Sequence, residues 1–154
     1  MNQENIKASG MFHMVHKRDG KVIDERMFPN LITNAGFAAL AGLALVDVGG
    51  TAFDYIAIGI TNTAANVADT TLASEITTNG GQRAAGTGTR VTTSVTNDTA
   101  QLVLTYTFTG SFAVVESGVL NASSSGTLLC RQVFSAINVV SGDTLTVTWK
   151  VKFS

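Results

Sequence analysis

Asp143-Thr144-Leu145-Thr146-Val147-Thr148-Trp149-Lys150-Val151-Lys152-Phe153 carries the reading of the fold. Leu145, Val147, Trp149, Val151 and Phe153 fall on one side of a two-residue rhythm. Thr144, Thr146, Thr148, Lys150 and Lys152 fall on the other. Successive side chains of a strand point to opposite faces, so this segment predicts one wall of a core with a hydroxyl- and lysine-bearing outer surface. A helix would scatter the same apolar residues around its circumference.

The rhythm recurs upstream. From Gln101 to Thr109, Leu102, Leu104, Tyr106 and Phe108 alternate with Val103, Thr105, Thr107 and Thr109. Arg90 to Thr96 alternates with Val91, Thr93 and Val95 on one side. Ala113 to Asn121 and Thr127 to Phe134 read as two strands joined by a loop at Ser123-Ser124-Ser125-Gly126. Met11 to His16 and Lys21 to Met27 read as a hairpin over residues 11–27. Its turn is Asp19-Gly20, since both residue types tolerate positive φ, and Pro29 is expected to end the second strand for want of an N–H.

Residues 34–45 break the pattern. Phe37, Leu40, Ala41 and Ala44 repeat at helical spacing, with Thr33 or Asn34 as N-cap, which predicts one short helix serving as a buried connector. In Asp54 to Ile60, Ile56, Ile58 and Ile60 share a face, while Ala57 and Gly59 leave the other nearly flat, a surface suited to another layer or subunit. Thr71 to Glu75 is expected to form a helical turn. Asn79-Gly80-Gly81 and Gly86-Thr87-Gly88 make that stretch the expected flexible region. Roughly eight strands, short turns and one helix predict a mainly β fold, an antiparallel β-sandwich or jelly-roll-like barrel. The expected organisation is an extended N-terminal arm over 1–10, then a single β-domain over 11–154 with its later strands in 54–153.

Composition narrows the function classes. The chain has 154 residues, one cysteine, 14% charged residues and a net charge of -1. Charge falls below the ~25% usual for soluble domains, and Thr, Ser, Asn and Gly supply the polar balance. Nothing there neutralises a phosphate backbone, so no nucleic-acid partner is expected. No apolar run reaches the ~18 residues that cross a bilayer, so no membrane partner is expected. The polar opening MNQENIKASG lacks the apolar core of a secretory signal. Cys130 stands alone and excludes an intrachain disulfide.

No constellation for catalysis is legible. His13 and His16 would face opposite sides of a strand and cannot share a metal. Cys130 has no activating neighbour in sequence and reads as a small buried hydrophobe. Glu116 is expected to pair with Arg131 or a backbone N–H. Asp24 and Glu25 are expected to pair across the hairpin with Lys17, Arg18, Lys21 and Arg26. The glycines lack the Lys-Ser/Thr and following helix of a phosphate loop. Trp149, Tyr55 and Tyr106 sit in strand patterns that read as packing. The expectation is a non-enzyme with no catalytic residue, no cofactor and no metal.

Several segments taken in order carry a resemblance. Asn30-Leu31-Ile32-Thr33-Asn34-Ala35-Gly36 opens the helix, Ile56-Ala57-Ile58-Gly59 forms a central strand, and Thr71-Leu72-Ala73-Ser74-Glu75 follows a polar loop. Glu116-Ser117-Gly118-Val119-Leu120-Asn121-Ala122, Gly126-Thr127-Leu128-Leu129-Cys130-Arg131 and Gly142-Asp143-Thr144-Leu145-Thr146-Val147-Thr148-Trp149 complete it. From Asn30 to Phe153 the chain resembles short structural proteins of tailed bacteriophages, both capsid decoration proteins and tail-fibre or tail-tip components. The resemblance implies a virion location after assembly in the bacterial host cytoplasm, partners such as the major capsid protein or other virion proteins, and a homotrimer. The resemblance does not choose head or tail by itself; one short domain and a hairpin-bearing N-terminal segment favour a capsid decoration, or cement, protein over a tail-fibre or tail-tip module, with a carbohydrate-binding β-sandwich as the third reading. An arm able to add a strand to a neighbour, the first strand and the flat face define the expected interface: Asn2, Ile6, Met11, Phe12, Met14, Ala57 and Gly59.

Overall fold

The computed structural model describes residues 7–44 and 50–154. Asn2, Ile6 and the rest of 1–6, together with the expected helix end at Leu45, lie outside the described residues. Along the chain come β1 (Ala8–Arg18), β2 (Lys21–Ile32), α1 (Asn34–Leu43), β3 (Tyr55–Gly59), β4 (Ala84–Ala85), β5 (Thr87–Val91), β6 (Thr99–Thr107), β7 (Phe112–Leu120), β8 (Leu128–Val139) and β9 (Thr144–Phe153). The fold is mainly β with one short helix, as the alternation predicts.

The strands form a nine-stranded sheet in the order β4-β3-β7-β8-β2-β1-β9-β6-β5, and neighbours run antiparallel. Two corners fold it into a sandwich that is nearly a closed barrel. At one corner β2 meets β8 only through Leu31↔Arg131 and Ile32↔Cys130. At the other, a single extended segment changes partner. β4 pairs with β3, and β5, one residue further on, pairs with β6. Gly86 is that one residue, and its N–H donates to the Asp54 carbonyl at 2.8 Å. One layer is therefore β2-β1-β9-β6-β5 and the other β8-β7-β3-β4.

The core lies between these layers. Phe12, Leu102 and Trp149 are cross-strand neighbours on β1, β6 and β9, and the rings of Phe12 and Trp149 sit 4.4 Å apart. Ile56, Ile58, Val114, Val119, Phe134 and Ile137 face them from the second layer. Burying each such side chain contributes about 1.5–3 kcal/mol. Tyr106 reaches across and donates its hydroxyl to the Ile56 carbonyl at 2.8 Å.

Local chemistry explains the punctuation. Asp19 and Gly20 both have positive φ, the primed turn that matches strand twist. Thr33 caps α1, its side chain accepting from the Gly36 N–H at 2.9 Å. A Cβ on Gly36 would collide with the Leu129 backbone, so the helix can approach β8 only there. The helix is a connector, but not a buried one: Gly36 is its one buried residue, and Phe37 lies half exposed.

Other expectations are corrected. Pro29 does not end β2, which continues to Ile32. It pairs with Met11, where β2 has no second neighbour, so the missing N–H costs no bond on that open side. The arm is shorter than expected, because Ala8 to Gly10 already pair with β9 and Lys7 exchanges backbone bonds with Ser154. The strand expected over Arg90 to Thr96 ends at Val91. Beyond it the Asp98 carboxylate accepts from the N–H groups of Thr93, Ser94 and Val95 and holds a turn. Thr71 to Glu75 is not a helical turn, and Glu75 bridges to Gly59. Asn79-Gly80-Gly81 forms the expected turn, and Gly86-Thr87-Gly88 joins the short β4 to β5 of the sheet.

Candidate functional site

The outer face of the β2-β1-β9-β6 layer is a regular four-stranded surface. Across β1 and β2, Met11 pairs with Pro29 and His13 with Met27, which sets two methionines and a proline side by side. Met11 is 41% exposed and Met27 59%. Beyond them the face becomes a field of hydroxyls, with Thr105 and Thr146 hydrogen-bonded side to side at 2.9 Å. His13 Nε2 and Glu25 share a 2.8 Å contact on the same face.

Between the layers, at the end nearest α1, lies an apolar cavity of about 450 Å³. Leu102 and Trp149 wall it from one layer, Leu129 and Cys130 from the other, and Leu40 and Phe53 flank it. The Cys130 thiol is fully buried, and burial pushes its pKa well up, so it remains protonated and unreactive.

The buried ionisable groups form three closed clusters. Glu116, at 0% exposure, accepts from the N–H groups of Ala73 and Ser74 and from Arg131 Nε at 2.9 Å. Arg131 also binds Asp69 at 2.8 Å and the carbonyls of Thr63 and Ala64. This cluster straps the 63–74 segment across the outside of β7 and β8. In the second, Arg83 forks onto Glu75 and donates to the carbonyls of Ala122 and Ser125. In the third, Asp143 receives Arg18 and His16 at 2.8 Å each and the Val140 N–H at 3.0 Å. Every carboxylate here is held by an arginine, and Glu116 and Asp143 also accept from backbone N–H groups, an arrangement that suits anchoring.

The expected interface residues separate. Met11 is on the surface. Phe12 and Met14 have no exposure and belong to the core, because their register points between the layers. Ala57 and Gly59 are also covered, by the chain itself. Ala57 packs with Leu72, Leu120 and Leu128, and a Cβ on Gly59 would strike Glu116 and the Ser74 carbonyl. The flat face seen in the sequence is real, but its cover is the strapped 63–74 segment. The expected pairing of Glu116 with Arg131 is present. The hairpin charges pair differently: Asp24 with Arg26 on the same strand, Arg18 with distant Asp143. Met27 was legible only as a strand residue and Pro29 only as a strand end, and the cavity had no sequence signal because its walls come from six separate elements and the chain between them.

No family model, no curated protein and no solved structure matches this chain.

Proposed function

We propose that this protein is a non-enzymatic structural component of a tailed-bacteriophage particle, a capsid decoration protein that binds the assembled head and braces it. The observation that carries the reading is the Met11, Met27 and Pro29 patch set into a flat, hydroxyl-rich sheet face. Methionine adapts its shape to a partner surface, and apolar residues with a polar rim, here His13, Glu25, Lys150 and the threonines of the same face, are the composition of a protein-binding patch. The arginine-held carboxylate clusters support a module whose charges hold its own loops. The resemblance of Asn30 to Phe153 to virion proteins supplies the particle. The partner would be the major capsid protein or another virion protein, with the chain arranged as a trimer. A tail-fibre or tail-tip module is the second reading, resting on that same resemblance.

Purified protein mixed with undecorated capsids is expected to add regular surface density in electron micrographs. Met11→Glu with Met27→Glu should abolish that density while leaving the circular dichroism unchanged, since both side chains lie on the outer face and neither belongs to the core. Density on tail tips alone would transfer the assignment to the second reading. Binding of the double variant at wild-type strength would remove this face from the interface.

A further inference from the structure

We propose that the interlayer cavity is a binding site for an amphiphile, a linear aliphatic chain ending in a carboxylate. The proposal is independent of the virion reading. Ligand pockets commonly enclose ~300–1,000 Å³ with apolar walls and a few oriented polar groups, and this cavity of about 450 Å³ falls within that range. Its lining is mainly aliphatic and aromatic, with Thr89, Arg90 and Gln101 its polar residues, and no Asp or Glu is among its described lining residues.

The mouth gives the ligand its sign. On β5, Gly88 pairs with Leu102 and Arg90 with Ala100. Leu102 faces the core, so Gly88 and Arg90, two residues apart from each other and from Leu102's neighbours, share the inward register. Arg90 thus stands on the cavity side of the sheet, lines the mouth, and has no ion pair among the described residues. The space beside it exists because its neighbours are small. Ala100 has one methyl group, and a Cβ on Gly88 would meet nothing within 4 Å. A guanidinium at the lip of an uncharged apolar cavity complements a chain that is greasy along its length and anionic at its end. The carboxylate would bind Arg90, and the chain would lie along Leu102 and Leu129 toward Trp149.

Trp149 is the single tryptophan and is part of the wall, so its emission reports occupancy. Dodecanoate below its micelle concentration is expected to change that emission saturably and to raise the melting temperature of the full chain. Arg90→Gln, an exposed change, should weaken dodecanoate by about tenfold and leave dodecanol unaffected. Gly88→Leu, which places a side chain in the mouth, should lose both ligands, with near-ultraviolet circular dichroism checking that its fold is kept. Phosphatidylglycerol vesicles separate a free amphiphile from a membrane. Response to vesicles without response to dodecanoate would overturn the cavity assignment. So would no saturable change in wild-type emission, and equal dodecanoate binding by Arg90→Gln would overturn the head-group assignment.

Discussion

Asp143 shows how much one side chain organises. Its Oδ1 accepts from Arg18 Nε, and its Oδ2 meets Arg18, His16 and the Val140 N–H. The side chain is 1% exposed. The hydrogen bonds from Arg18, then those from His16 and the Val140 amide, outweigh burial and hold its carboxyl well below the usual carboxylate range. A carboxyl lowered in the folded state contributes stability that is complete above its unfolded value of ~3.9 and is lost as pH falls toward the folded value. Asp143→Asn is therefore expected to cost about 2 kcal/mol at pH 7, the range for hydrogen bonds to a charged group. The gap between variant and wild type should narrow below pH ~4. Urea titrations from pH 7 to pH 2 measure it, and a constant gap would contradict the assignment. Little of this cluster was legible. Asp143 reads as a turn residue, and Arg18 is 125 residues away in the chain. Glu116 and Arg131 were legible as a pair because both sit among apolar neighbours, where a lone charge is too costly.

Among the elements, β2 carries a long open edge inside the sheet order. Only Leu31 and Ile32 pair with β8, which leaves its edge open from Lys21 to Asn30. An open edge invites another strand, and inward charges and proline deter it. Arg26 and Asp24 lie opposite Met14 and His16, whose register is inward. Arg26 binds Asp24 and reaches the Ser135 and Ala136 carbonyls, the open edge of β8. One guanidinium thus occupies both edges. Arg26→Val should bare those carbonyls, lower stability by about 1–3 kcal/mol and produce heavier species absent from the wild type. Sedimentation velocity checks this, and identical profiles would refute the role given to Arg26. The sequence predicts the strand but not its length: Pro29 looks like an end because the openness of one edge is not visible locally. The same blindness extended β5 to Thr96, where alternation continues although Asp98 has turned the backbone.

At the scale of the molecule, the first and last strands, β1 and β9, are partners. Ala8 pairs with Phe153, and β9 lies between β1 and β6. The first layer cannot form until the last strand is present, and such non-local pairing slows folding. A fragment ending at Ser141 lacks β9 and with it Trp149. It is expected to remain unfolded, with narrow amide dispersion in nuclear magnetic resonance spectra. A dispersed, native-like spectrum would show that β9 is dispensable to the core.

What the amino-acid order determined alone is local. Two-residue alternation states which side chains of a strand share a face, Asp19-Gly20 states where the hairpin turns, and the Thr33-Asn34 pair states where the helix begins. These follow from backbone geometry within a few residues. Tertiary structure decided what each face meets. It placed Phe12 and Met14 inside, covered Ala57 and Gly59 with the chain's own loop, joined Arg18 to Asp143 and left the cavity beside Trp149. Those outcomes depend on how two twisted layers close at their corners, and the free energy of closure comes from contacts between residues that no short window of sequence contains.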